Sequence, residues 1–286
     1  MPDMPSASRP MQRGTAPFLT IRPRKRWMEL NLAELWMYRD LLLTLIWRDI
    51  KVRYKQTVLG MAWAVIQPLA GMAVFTLVFS RMAKLPTDGI PAPLFYYAGL
   101  LAWTFFSQTV SGASQSLIEG SHLVTKVYFP RIIIPASVIG YATLNLCVST
   151  VLLLPLMLYF GIRPSWTVIL LPPVCVLLGV ASLGVALLLA ALNVKYRDFR
   201  YVVPFLLQIA MFATPVVYPA SLIPQDWRWL ASLNPMTGMT EAFRACLFGS
   251  LPDWTMFGMS TAAGMAVFIF SVAYFRRVED DMADML

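Results

Sequence analysis

The sequence predicts an all-α integral membrane protein with six transmembrane helices, and three observations predict it. First, hydrophobic residues fill 58% of the 286 positions and charged residues only 13%, where a soluble domain carries about 25% charged. Second, the charges are clustered. They leave six uncharged runs, at 59–80, 94–118, 132–162, 164–194, 201–225 and 254–275. Each is long enough for the roughly 20 helical residues that cross a bilayer core. Third, Lys and Arg are one-sided. Eleven precede the first run, and Lys126, Arg131, Lys195, Arg197, Arg200, Arg276 and Arg277 follow on the same side, leaving Arg81, Lys84, Arg163, Arg228 and Arg244 for the other. The positive-inside rule then puts both termini in the cytoplasm, which an even number of crossings requires. Open backbone groups are not tolerated in hydrocarbon, so the runs are expected to be helices. The short alternating strands of a β-barrel are not seen.

Each element follows in chain order. Residues 1–29 are polar, basic and Pro-rich, with no apolar signal-peptide core, and read as a flexible cytoplasmic tail. Residues 32–56 read as a helix lying in the interface plane. Leu32, Leu35, Trp36, Leu42, Leu43, Ile46, Trp47, Ile50 and Tyr54 project onto one arc, opposite Asp40, Thr44, Arg48, Lys51 and Lys55. Arg39 interrupts the arc, where its long stem allows snorkelling. In the second run Ser107 and Ser111 lie four apart, as do Gly112, Ser116 and Gly120, a spacing that suits close helix packing or, alternatively, a channel-lining polar face. Internal prolines (Pro135, Pro155, Pro172, Pro173) mark kinks or helix ends. The connection 119–131 is short and mixed, and Leu123, Val127 and Tyr128 would share a face of a short helix there, ended by Pro130. Such an apolar face calls for a partner. The connection 226–253 reads as short helices partly sunk in the outer leaflet, with Glu241 and Arg244 three apart and placed to pair. The last span gives way to an acidic cytoplasmic tail at 278–286.

Several function classes drop out. Cys147, Cys175 and Cys246 have no metal-ligand spacing and read as buried apolar residues. His122, the one histidine, builds no metal site alone. There is no Gly-rich phosphate loop, no HExxH and no Ser/His/Asp set, so neither catalytic nor cofactor residues are expected. The net charge of +8 is accounted for by anionic headgroups rather than nucleic acid. The runs carry no Asp, Glu, Lys or Arg, which argues against an ion-coupled carrier. A polytopic chain with neither catalytic set nor coupling charge is expected to take its energy from a partner.

Four stretches carry a family resemblance. They are Arg53-Tyr-Lys-Gln-Thr-Val-Leu-Gly60 running through Trp63 to Gln67-Pro68-Leu69; Tyr128-Phe-Pro-Arg131 with Pro135; Asn193-Val-Lys-Tyr-Arg-Asp198 followed by Pro204, Thr214-Pro215 and Tyr218-Pro219; and Leu233-Asn-Pro-Met236 with Glu241, Phe243-Arg244 and Gly249. Together they span about 30–277, and in this order they resemble the permease subunits of polysaccharide-exporting ABC transporters. The resemblance implies a half-transporter that pairs with a second copy of itself and with two ATP-binding ATPase subunits, where ATP and Mg would be bound. The implied cargo is a lipid-linked polysaccharide (O-antigen, capsule or teichoic acid, with a lean toward O-antigen) moved across the inner membrane. Export of a drug or lipid by the same scaffold is one alternative, and an ion-coupled secondary carrier is another.

The resemblance also implies roles. Residues 30–277 would be the permease domain, with the fifth span over 201–220. The interface helix 32–56 would use Trp36, Arg39, Arg48, Lys51 and Arg53 at the membrane surface and the ATPase. Thr57, Leu59, Gly60 and Trp63 would form a gating element. Connection 119–130, with Glu119, His122, Leu123, Lys126, Val127 and Tyr128, would be the coupling helix that docks on the ATPase. Trp63, Phe75, Tyr201, Phe205, Phe212 and Tyr218 are candidates to line a channel, since aromatic faces suit sugar C–H surfaces. Asn234, Pro235, Glu241 and Arg244 would belong to short helices at its outer end.

Overall fold

A computed structural model describes residues 36–55, 60–126, 129–279 and 282. Among them the regular structure is all helix, with no strand. Four helices are long and apolar enough to cross a membrane: Trp63–Met82, Ile133–Tyr159, Trp166–Lys195 and Trp254–Glu279. The 15-residue helix Phe199–Ala213 is apolar but shorter.

Helix α1 (Arg39–Tyr54) precedes the first of these. Its predicted apolar arc is split in two. Leu42, Ile46 and Ile50 turn partly inward beside the buried Leu45, while Trp36, Leu43 and Trp47 remain exposed. The expected positions Leu32 and Leu35 lie outside the described residues.

Gly60 takes a left-handed backbone (φ +51°) and opens a short 3-10 turn, Gly60–Ala62. Helix α2 (Trp63–Phe75) follows and runs into seven residues of π-helix, Thr76–Met82. There the ladder lengthens, so that the Ala83 N–H reaches the Val78 carbonyl. Helix α3 (Ala92–Glu119) is the most deeply packed, with Leu94–Phe106 almost wholly buried, and α2 lies along it. After the short α4 (Ser121–Lys126) comes α5 (Ile133–Tyr159), and then α6 (Leu171–Lys195) behind the 3-10 turn Trp166–Leu170. Pro135 and the pair Pro172-Pro173 sit in first turns, where a missing N–H costs nothing, and Pro155 sits inside α5 near its end. Helix α10 (Trp254–Glu279) packs along α6. Their approach is close because Gly184 has no side chain: a Cβ there would lie 2.8 Å from the Phe268 Cα. Gly112 likewise meets Val138 of α5, so part of the small-residue stripe of α3 serves packing.

One predicted crossing is remodelled. The uncharged run 201–225 is not one helix: α7 (Phe199–Ala213) stops at Thr214, and residues 214–219 are irregular. Pro215 and Pro219 supply no N–H, so the ladder cannot continue through them. Beyond a 3-10 turn (Ala220–Leu222) lie α8 (Gln225–Ser232) and α9 (Pro235–Phe248), the short helices expected before the last span. Helix α10 reaches Glu279, so the first residues of the predicted acidic tail, Val278 and Glu279, belong to a buried helix end.

Candidate functional site

Two clusters of hydrogen-bonded polar side chains stand out in the bundle. In the first, α1 lies against α5, with Ile46 fitted over Gly140, where a Cβ would be 2.6 Å from Ile46 Cγ2. Arg53 donates to the Tyr141 hydroxyl at 2.6 Å, and its guanidinium carbon stands 3.9 Å from that ring's centre. Tyr54 donates to Asn145 Oδ1, and Asn145 Nδ2 donates to Gln108 Oε1 at 3.0 Å. Tyr141 and Asn145 are one helical turn apart, so one face of α5 receives both α1 side chains. A polar chain therefore runs from α1 through α5 into α3. Burial pushes the Tyr54 hydroxyl above its ordinary pKa, with Arg53 and Asn145 pulling it back, so the phenol stays protonated and donates. Asp49 holds Arg48 at 2.8 Å and accepts from Ser137 at 3.1 Å. A cavity of about 350 Å³ opens here, with Arg48, Asp49 and Arg53 on one wall and Ser116 and Glu119 on the other.

Beside this cavity α4 caps a buried cluster that includes Leu45, Leu117, Phe129, Ile132, Ile133, Phe275, Val278 and Met282. The expected bare apolar face is corrected at Leu123, which is half-buried and packs on that cluster. Glu119 and His122 are exposed. Lys126 ends the helix, and Val127 and Tyr128 lie outside the described residues. Just beyond, the Arg131 backbone N–H donates to Glu279 Oε1 at 2.8 Å, and Arg276 Nη1 donates to Glu279 Oε2 at 3.1 Å. The Arg131 guanidinium reaches the Glu279 carbonyl. The side chains of Arg276 and Glu279 are each only 7% exposed.

In the second cluster the chain solves the problem set by the broken α7. Arg244, 2% exposed on α9, donates to the carbonyls of Pro215 (2.7 Å) and Val216 (2.6 Å). It pairs with Glu241 at 3.0 Å, as the i,i+3 spacing predicts, and stacks 3.8 Å from the centre of the Phe95 ring. Glu241 also accepts the Ala220 N–H at 3.1 Å. The pair thus grips both ends of the irregular segment. Gly99 makes the room, since a Cβ there would lie 2.3 Å from Arg244 Nη2. Asn234 caps α9 by accepting the Met236 N–H, and donates to the Thr214 hydroxyl at 2.9 Å. Pro235 takes the first helical position, and Gly249 ends the helix in the left-handed region (φ +84°). Burial pushes the Glu241 carboxyl up while Arg244 pulls it down, and burial lowers Arg244 from its ordinary value. The two charges sit beside a cavity of about 630 Å³ that Asp88, Arg228 and Asp253 also line.

Of the flagged positions elsewhere, Trp36 is exposed with Arg39 stacked on it at 5.1 Å, and Lys51 is exposed. Thr57 and Leu59 lie outside the described residues. Trp63, Tyr201, Phe205 and Phe212 are largely uncovered. Phe75 is half-buried, packed edge-on against Phe79 and Tyr96, and Tyr218 is half-buried in the irregular segment. Sequence reasoning passed over Gln108, Asn145, Asp49, Tyr141 and Glu279. For the first two a signal was there, since an amide inside an apolar run demands a partner. Cys147, Cys175 and Cys246 are all free, and the expected burial holds for Cys246 alone, Cys147 being exposed and Cys175 half-buried.

A bundle of apolar helices clamped by buried polar pairs is the build of a multi-pass membrane protein. The chain belongs to the ABC-2 type transporter family, whose model matches residues 40–248. It is similar to the O-antigen export system permease protein RfbA of Myxococcus xanthus, 37% identical over 77% of this chain and 85% of the relative. An RfbA permease of Klebsiella pneumoniae is 24% identical over 91% of this chain and 98% of its own length. The polysialic acid transport protein KpsM of Escherichia coli is 24% identical over 82% and 92%.

Proposed function

We propose that the chain is the transmembrane subunit of an ATP-driven exporter that carries a lipid-linked polysaccharide, O-antigen in the first instance, across the inner membrane. The observation that carries this reading is the likeness to the M. xanthus O-antigen export permease along 85% of that protein's length. The likeness to KpsM, named for polysialic acid transport, makes capsule the second reading. The geometry is compatible with either. The uncharged middle runs of the spans give no gradient-driven handle, and the helices α2 and α7 leave aromatic faces uncovered in the single chain.

In this reading two copies pair, and those faces enclose the channel. The helices α3 and α7 complete six crossings, with both termini cytoplasmic. The exposed Glu119 and His122 of 119–130 contact an ATPase subunit, which binds ATP and Mg. The interface helix holds Trp36 and Trp47 at headgroup depth. Residues 57–63 gate the entrance, and α8 and α9 close the outer end.

Deletion of the gene tests this directly. Surface O-antigen should vanish while lipid-linked polymer accumulates on the inner leaflet, and the wild-type chain should restore export only with its ATPase present. Normal surface polysaccharide in the deletion strain would sink the proposal. Loss of capsule with O-antigen intact would transfer it to the second reading.

A further inference from the structure

The end of the last helix carries a group that none of the assigned roles uses. Glu279 is a carboxylate at the C-terminal end of α10, 6% exposed, 148 residues along the chain from the segment it holds. Its two oxygens face different elements. Oε1 takes the backbone N–H of Arg131, and Oε2 takes Arg276 of its own helix. Its main-chain carbonyl takes the Arg131 guanidinium. Phe129 and Ile132 beside Arg131, and Phe275 and Val278 beside Glu279, belong to one buried apolar cluster.

A buried carboxylate costs more desolvation than an apolar side chain of the same size, so it gives direction and register rather than cheap stability. Here the direction is specific. A main-chain N–H at the exit of the segment 119–131 is fixed by a charge-assisted bond to the last helix, and α5 begins two residues later. The last helix, α10, is itself held close on α6, where a Cβ at Gly184 would lie 2.8 Å from the Phe268 Cα.

We infer that Glu279 is a positioning residue for energy coupling: it locks the exit of the α4 segment to α10, so that a displacement of α4 moves α5 and α10 as one body. This rests on the reading that 119–130 meets the ATPase. Without the lock, a push on α4 is absorbed by rotation about Phe129 and Pro130, and only α5 follows.

The test uses the full permease with its ATPase, reconstituted in lipid vesicles, and reads two rates: ATP hydrolysis and polymer export. A cysteine at His122 reports contact with the ATPase by crosslinking. In Glu279→Ala the crosslink should persist, hydrolysis should stay within about twofold, and export per ATP should fall by about tenfold, the scale of one lost charge-assisted bond. Glu279→Gln, which keeps the shape but sets an NH2 group against the Arg donors, should fall part of the way. Glu279→Asp, which keeps the charge, should recover part of the loss. Unchanged export per ATP in the Ala variant overturns the inference. So does a proportional fall of both rates across all three variants, which is what a purely structural role or poor folding gives. If the His122 crosslink is already missing in the wild-type complex, the coupling reading itself has failed, whatever the variants do.

Discussion

At the scale of single residues, the most consequential side chain is Arg244. Its guanidinium does the work that backbone N–H groups would have done had α7 continued through Pro215. Arg244→Ala removes the donors to two carbonyls and strands Glu241, so it should cost about 3–5 kcal/mol, the usual penalty for removing one partner of a buried pair. Thermal unfolding of the purified protein in detergent would register this as a large drop in Tm. Gly99→Ala should lower Tm as well, because its Cβ would stand 2.3 Å from Arg244 Nη2 with no slack in a group held by four contacts. Asn145→Ala belongs to a gentler class. It breaks the Tyr54–Asn145–Gln108 chain, and hydrogen bonds between membrane helices are worth about 0.6 kcal/mol on average. A small shift in Tm is expected there, together with faster hydrogen exchange at the end of α1.

At the scale of elements, α7 is the outlier. Of its residues only Val203 is fully buried and most side chains are exposed, yet it is held at its far end by Asn234, Glu241 and Arg244. Replacing Trp63, Tyr201, Phe205 and Phe212 together with Ala should therefore leave the fold of the single chain nearly unchanged, while export falls if these rings carry sugar. Undiminished export with normal protein levels would show that the rings face lipid. Gly184→Leu should do the opposite, driving α6 from α10 and preventing assembly, seen as loss of protein from the membrane fraction. What was legible in the sequence divides along the same line. Long uncharged runs announce helices because the bilayer leaves no other solution, and the Glu241–Arg244 spacing announced its own pair. The end of α7 was not legible, because hydropathy does not distinguish a helix from irregular backbone whose carbonyls are satisfied by a side chain 28 residues away. That Leu123 also packs inward was not legible for a related reason: helical periodicity says which residues share a face, and nothing about what lies beneath it. Glu279 looked like one more tail acid until the helix was seen to extend over it.

For the whole molecule, the buried core is lopsided. The helices α3, α5, α6, α9 and α10 supply the packed core, while α2 and α7 lie at the margin with most of their surface free. A second copy covering that margin would account for it, and native mass measurement of the permease with its ATPase should give two of each chain. A one-to-one complex competent in export would refute the paired arrangement. The π-helical stretch Thr76–Met82 bears on how such a chain is compared with its kin. A turn closed between residues five apart holds one residue more than a turn closed between residues four apart. Everything before it in α2 is thus rotated by about 100° relative to an uninterrupted helix. A relative that closes this turn in the ordinary way would need one residue fewer between Phe75 and Lys84. Aligning the two without a gap there would turn every aromatic of α2 by about 100° from the face it occupies.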